Sequence, residues 1–182
     1  ESAFNKLAEP MPMGYSGVGR VIACGKGVTE VQAGDLVAMV GTAYHCEINR
    51  VSRTMLTKVP EELTDYRQAA FCALGGIALE GIHQAEVVPG ETVAVIGMGL
   101  VCRILNAYGC DVIGYDVVDK TMPGTRLKAF INSGDDNAAD MTKALTRGRG
   151  VDKVIITAAT NSNAPMDLAA AIARDRGIIC MI

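Results

Sequence analysis

The sequence predicts an α/β fold, a parallel sheet wound with helices and preceded by a β-rich subdomain. Three observations predict it. First, Thr92–Ile96, Val112–Tyr115 and Val151–Ala158 are short apolar runs rich in β-branched side chains. Such runs mark strands buried on both faces. Second, helical patterns separate these runs, and strands alternating with helices form parallel sheets. Third, the first sixty or so residues read differently, as short strand-like runs broken by frequent glycine, the pattern of an all-β unit. The expected division is therefore 1–62 for the β-rich subdomain and 63–182 for the parallel sheet, each incomplete.

In chain order, Glu1–Met13 is an entry segment in which Pro10 and Pro12 oppose a long helix. Gly14–Gly25 is a glycine-rich turn entering a strand, Val31–Met39 a loop followed by a strand, and Met55–Val59 a strand ended by Pro60. The period then changes. Thr64–Leu74 reads as a helix with Thr64 at its N-cap, Gly75-Gly76 interrupts it, and Ile77–Ala85 resumes it. Further on, a strand is expected at Ala129–Asn132, a helix at Asp136–Thr146 and another at Pro165–Arg174, with a final strand at Ile178–Ile182.

The most informative stretch is Glu91–Asp116. A buried strand, Thr92–Ile96, runs into Gly97-Met98-Gly99. Leu100, Val101, Ile104, Leu105 and Tyr108 then fall on one helix face, and Gly109 stops that helix. A second strand ends at Asp116, 19 residues after Gly97. This is the arrangement of a dinucleotide site. Gly97 allows a turn that a side chain would block. Gly99 lets the backbone approach a pyrophosphate, and the amides opening the helix at Met98, Gly99 and Leu100 favour its charge. Asp116 can accept from both hydroxyls of the adenosine ribose, which favours NAD over NADP. Thr157 and Ala158 follow a parallel strand, where this architecture passes the cofactor, and their small size would admit a nicotinamide. Two features depart from the fingerprint. Cys102 replaces its third glycine, and a nine-residue helix spans only about 13 Å beside a strand of about 16 Å. A helical turn is thus expected to be missing, or residues near Cys102 to be absent from the sequence. A plain buried strand–helix–strand unit with a glycine turn is the simpler alternative.

Composition narrows the function classes. Of 182 residues, 49% are hydrophobic and 20% charged, with a net charge of −3. No basic stripe is present, so nucleic acid is not an expected partner. The longest apolar runs, near Ala69–Leu79 and Val93–Cys102, are too short to span a bilayer. The six cysteines form no CxxC pair, which fits buried, reduced thiols in a cytoplasmic protein. The chain opens at Glu1 without methionine or a signal peptide, as a fragment or processed form would.

Gly14-Tyr-Ser-Gly-Val-Gly-Arg-Val…Gly25, Gly34-Asp-Leu-Val37, Lys58-Val-Pro60 and Ala69-Ala-Phe71 resemble motifs of the medium-chain dehydrogenase/reductase superfamily. The resemblance covers nearly everything after residue 10. It implies a GroES-like β subdomain followed by a Rossmann domain. Leu74–Leu79 and Ile156–Asn163 further resemble bi-domain oxidoreductases, in which such a unit is joined to a Gfo/Idh/MocA-type sugar dehydrogenase domain. That branch implies an NAD(H)-dependent oxidoreductase acting on a small, sugar-like alcohol or carbonyl, and a homo-oligomer is compatible with it. Zinc members carry a Gly-His-Glu motif, and here Tyr15 and Ser16 stand in place of the His and Glu. The family's structural-zinc cysteines are also missing, so no zinc is expected. A replacement site from His45, Cys46, Glu47 and Cys72 would need three or four donors to converge. Small buried thiols and a polar loop histidine are the simpler reading of those residues.

Hydride transfer from an alcohol also needs a proton acceptor. Tyr15, Tyr44 and His45 are the catalytic candidates, His45 because imidazole titrates near neutrality. Each also has a plain role, as turn packing, a strand end or a loop residue. Two further function classes stay open beside the zinc-independent oxidoreductase. One is a non-enzymatic nucleotide-binding or assembly module of a larger oxidoreductase. The other is a zinc alcohol dehydrogenase, which the missing ligands disfavour.

Overall fold

The computed structural model describes residues 12–120 and 123–182. Most of the entry segment Glu1–Met13 lies outside them. The chain forms two compact units, Glu1–Leu74 and Gly75–Ile182. The division falls after Leu74, whereas the sequence reading placed it after residue 62.

In the first unit β1 (Ser16–Arg20), β2 (Leu36–Val40) and β3 (Leu56–Lys58) form an antiparallel sheet in that order. Val18 faces Ala38, and Ala38 faces Thr57. Val37, Ala38, Val31 and Ala43 are its buried apolar residues. The Gly34-Asp35 turn sets up β2. Gly34 has a positive φ of 98°, which suits glycine, and Asp35 accepts from the Gln32 amide at 2.8 Å. Lys58 of β3 pairs with the same carboxylate at 2.8 Å. Tyr66–Phe71 is a 3-10 turn capped by Asp65, whose side chain accepts from the Arg67 amide. The N-cap is therefore Asp65 and not Thr64.

Helix α1 follows as Cys72–Gln84 and runs through Gly75-Gly76 without a break. Each glycine costs a helix about 1 kcal/mol relative to alanine. Ala78, Gly81 and Ile82 are buried on the inner side of α1, and this packing outweighs a local preference that the sequence reading took as decisive.

The second unit is a five-stranded sheet in the order β6-β5-β4-β7-β8. β4 is Thr92–Ile96, β5 Asp111–Asp116, β6 Ala129–Asn132, β7 Val151–Ile156 and β8 Ala173–Met181. All four neighbouring pairs are parallel. Helices α2 (Leu100–Ala107), α3 (Ala138–Leu145) and α4 (Ala164–Ile172) cross between the strands. Side chains on a strand alternate between faces, and two cores result. Val93 and Val95 of β4 join Val112, Val101, Cys102, Leu105 and Ile82 on one face. Ala94 and Ile96 join Ile113, Tyr115, Val154, Ile156, Ala169 and Ile172 on the other. A sheet covered on both faces explains why these strands lack polar alternation. The chain leaves β4 in one direction through β5 and β6, then returns to the other side with β7. The order thus reverses beside β4, where open α/β sheets form their crevice.

Three local details refine the sequence reading. Helix α2 has only eight residues, yet the crossover closes, with Thr92 opposite Asp111 and Ile96 opposite Tyr115. β8 starts at Ala173 and not at Ile178. Its charged opening, Ala173-Arg-Asp-Arg-Gly177, has no strand-like hydropathy, but Val151 pairs with Ala173 before a register shift near Lys153. Arg174 fastens that opening, donating to Asp152 at 2.7 Å. Asp152 also accepts from the Thr92 amide at 2.9 Å and lies 3.4 Å from Arg149. Burial alone would raise its pKa; the Thr92 amide and the two guanidinium groups outweigh burial and hold it below the usual carboxylate value. Tyr115 is buried as well, with its hydroxyl hydrogen-bonded to Thr142. Burial raises that phenol to about 12.

Candidate functional site

The site grows from the end of β4. Gly97 has a φ of 91°, and a Cβ there would lie 2.6 Å from the Ala158 amide nitrogen. Only glycine fits both the backbone and the space. The Gly97 amide donates to the Tyr115 carbonyl at 2.8 Å, and the Thr157 amide to the Ile96 carbonyl at 2.8 Å. The Thr157 hydroxyl donates to the Gly97 carbonyl. The turn is therefore tied to the strand ends on both sides of it.

Met98 points into the core. A Cβ on Gly114 of β5 would meet its sulfur at 2.9 Å, so Gly114 makes room for Met98. Gly99 is different again. Its φ of −174° is extended, and no atom lies within 4 Å of where its Cβ would be. Gly99 is the N-cap of α2 and offers no side-chain cap. Among the described residues the Gly99 and Leu100 amides have no hydrogen-bond partner. Uncapped amides beside open space suit an anion. Cys102, at the third glycine position, is 2% exposed and packs in the core with Val93, Val95 and Leu105. Burial raises its thiol pKa.

Asp116 closes the unit and is 8% exposed. It accepts from the Met98 amide at 3.1 Å, the Val117 amide at 2.8 Å and Lys120 at 3.0 Å. Burial would raise its pKa; Lys120 and the two amides overcome that and keep the carboxylate ionised to lower pH than usual. Lys120, four residues further along the chain, rests on Asp116.

Gly97, Met98, Asp116, Thr157 and Ala158 line a cavity of about 630 Å³, within the range typical of small-ligand sites. Gly99 and Leu100 are not among its lining residues. Lys120, Ser133, Gly134, Thr160 and Ser162 are, and the sequence reading did not name them as site residues. Ser133-Gly134 follows β6 and Thr160–Ser162 follows β7. The carboxyl ends of parallel strands are where such sites form, so their position was a usable signal.

The three catalytic candidates lie in the first unit. Tyr15 is 49% and Tyr44 37% exposed. The Asn49 side chain holds the Tyr44 backbone, accepting from its amide at 2.8 Å and donating to its carbonyl at 3.1 Å. His45 donates its amide to the Met13 carbonyl at 2.8 Å, and its ring lies against Gly14, where a Cβ would come within 2.6 Å of it. Glycine at position 14 thus seats the imidazole next to Tyr15 in sequence. Among the described residues none of these three side chains has a hydrogen-bonding partner. A second cavity of about 250 Å³ in this unit is lined by Cys24, Cys46 and Arg53, and by none of the three. Cys46 donates to the Ile48 carbonyl at 3.1 Å. Among the described residues no three His, Cys, Asp or Glu side chains are grouped to hold a metal, so His45, Cys46, Glu47 and Cys72 do not converge. No helix there is long and apolar enough to cross a membrane.

Comparison with known proteins identifies the family. Residues 2–96 match the alcohol dehydrogenase GroES-like domain. The chain belongs to this family. It is thereby a member of the medium-chain dehydrogenase/reductase superfamily, with oxidoreductases as its relatives. A probable D-xylulose reductase A of Emericella nidulans is 27% identical over 82% of the chain and 53% of the relative. Alcohol dehydrogenase 1 of the same organism is 26% identical over 95% of the chain and 60% of the relative. The dehydrogenase-like chain thus spans little more than half the length of these relatives. Among solved structures, a zinc-dependent alcohol dehydrogenase 2 from Streptococcus pneumonia, in its apo form, superposes with a TM-score of 0.75 at 26% identity, over 93% of the chain and 59% of that protein. Escherichia coli quinone oxidoreductase complexed with NADPH superposes at 0.76 over 95% of the chain and 57% of that protein. At 20% identity it supports the fold alone.

Proposed function

We propose that this chain is part of a zinc-independent oxidoreductase that binds NAD(H) in the second-unit cavity and acts on a small, sugar-like alcohol or carbonyl. The observation that carries the reading is the glycine turn. Gly97 is sterically required, while Gly99 stands beside open space with unpaired amides. A dinucleotide would supply hydride transfer at its nicotinamide. The chain's own residues bind and orient it: the Gly99 and Leu100 amides toward the pyrophosphate, Asp116 toward the adenosine ribose, and Ala158 as a small wall. Tyr15, Tyr44 and His45 are the candidate proton acceptors. The sugar-like substrate rests on the resemblance of Leu74–Leu79 and Ile156–Asn163 to bi-domain oxidoreductases, and the D-xylulose reductase relative is in keeping with it. A cytoplasmic setting belongs to this reading, although only Cys102 and Cys110 are the buried thiols that the sequence reading expected, and Cys24 and Cys46 are exposed.

The direct test is NADH oxidation with small aldehydes, ketones and ketoses, before and after exhaustive treatment with a chelator. Turnover that survives chelation supports the reading. Cofactor binding without turnover would favour the alternative, a nucleotide-binding or assembly module, which the unpartnered side chains of Tyr15, Tyr44 and His45 also suit. Elemental analysis of purified protein is expected to find no stoichiometric zinc, because Tyr15 and Ser16 occupy the family's His-Glu positions. One zinc per chain, lost in His45→Ala or Cys46→Ala, would refute zinc independence.

Cofactor choice follows from Asp116 and Lys120 together. The carboxylate accepts from ribose hydroxyls and repels a 2′-phosphate, whereas Lys120 softens that repulsion. NAD(H) is therefore expected to bind more tightly than NADP(H) by about tenfold, or about 1.4 kcal/mol. Lys120→Met should widen the gap, chiefly by weakening NADP(H). Calorimetric titration of both cofactors checks it, and a preference for NADP(H) in the unaltered protein would place Asp116 away from the ribose.

A further inference from the structure

One peptide group in the turn is held at both ends. The carbonyl of Gly97 accepts from the Thr157 hydroxyl, and the amide of the same peptide, on Met98, donates to Asp116 at 3.1 Å. Thr157 stands at the end of β7 and Asp116 at the end of β5, the two strands that flank β4. The Met98 amide is thereby committed to Asp116. Among the described residues Gly99 and Leu100 carry the next amides, and they have no partner.

Rotation of this peptide changes ψ of Gly97 and φ of Met98, and a trans peptide carries its carbonyl and amide on opposite sides. A flip here would swing the Gly97 carbonyl toward the Asp116 carboxylate, which is repulsive, and withdraw the Met98 amide from it. The path of the backbone into Gly99 and Leu100 would shift with it. We propose that Thr157 is a positioning residue for anion recognition: its hydroxyl locks the Gly97–Met98 peptide so that the turn presents amides to a pyrophosphate. This assigns the hydroxyl proton to the turn itself. The inference rests on the dinucleotide reading above and deepens it.

The test separates pyrophosphate recognition from general integrity. ADP-ribose and adenosine are titrated into the unaltered protein and into Thr157→Val, which keeps the shape and removes the donor. ADP-ribose affinity should fall about three- to tenfold, the worth of one hydrogen bond, while adenosine affinity stays within twofold. Thr157→Ser, which restores the hydroxyl, should recover ADP-ribose binding. If Thr157→Val does not fold, Thr157→Ala is titrated in its place with the same expectation. Equal losses for both ligands, or no rescue by serine, would overturn the positioning role. Unchanged ADP-ribose binding in the valine variant would overturn it too. Failure of the unaltered protein to bind ADP-ribose at all would instead refute the underlying dinucleotide reading.

Discussion

Gly99→Val is expected to keep the folded state and to weaken NADH binding by about a hundredfold, roughly 2.7 kcal/mol. The backbone at Gly99 is extended, with φ −174°, so a β-branched residue adopts it without strain. The added side chain meets no protein atom within 4 Å and occupies the space that a pyrophosphate needs. Gly97 in the same turn behaves in the opposite way. With φ 91° and a backbone nitrogen 2.6 Å from its would-be Cβ, Gly97→Val should compromise the fold before binding can be scored. Thermal melts and NADH titrations of the two variants check the contrast. Unchanged NADH affinity in Gly99→Val would place the pyrophosphate away from Gly99.

Asp152→Ala is the substitution expected to cost the second unit most, about 2 kcal/mol, because it removes a buried carboxylate that accepts from the Thr92 amide and from the partly exposed Arg174. Two guanidinium groups and the Thr92 amide lose their partner at once, and the irregular start of β8 loses its fastening. The pH dependence has a definite sign. The folded-state pKa of Asp152 lies below the usual value, near 3.9 for an unfolded aspartate. Its stabilisation is thus complete above about pH 4 and is lost as pH falls through the folded value. Urea unfolding of the unaltered protein and Asp152→Asn at pH 7 and pH 3 should show two midpoints that converge in acid. Midpoints equally far apart at both values would mean that charge on Asp152 is not what holds β8.

The parallel strands were legible because burial on both faces leaves unbroken apolar runs. β6, with its bounds at Ala129 and Asn132, and the β4–α2–β5 unit needed nothing beyond pattern. The opening of β8 was not legible, because Arg174 enters the strand through an ion pair with Asp152 and not through hydropathy. Gly75-Gly76 misled in the other direction: a local helix-breaking preference lost to packing at Ala78 and Ile82. At the candidate site, the residue types of the turn pointed to Gly97, Met98, Asp116, Thr157 and Ala158, which do meet around one cavity. The engagement of Asp116 with Met98 and Lys120 was hidden, since hydrogen bonds between a strand end and a turn leave no trace in spacing. Tyr15 and Tyr44 rested on an expected place near the cleft and His45 on imidazole chemistry, and among the described residues none of the three has a side-chain partner that would single it out.

The most direct measurement is an NADH titration followed by backbone amide NMR of the whole chain. Saturable shifts are expected that centre on Gly99, Leu100 and Val117, with smaller ones at Thr157 and Ala158. Saturation with no response at Gly99 and Leu100, or no saturable response in the second unit at all, would contradict the dinucleotide reading.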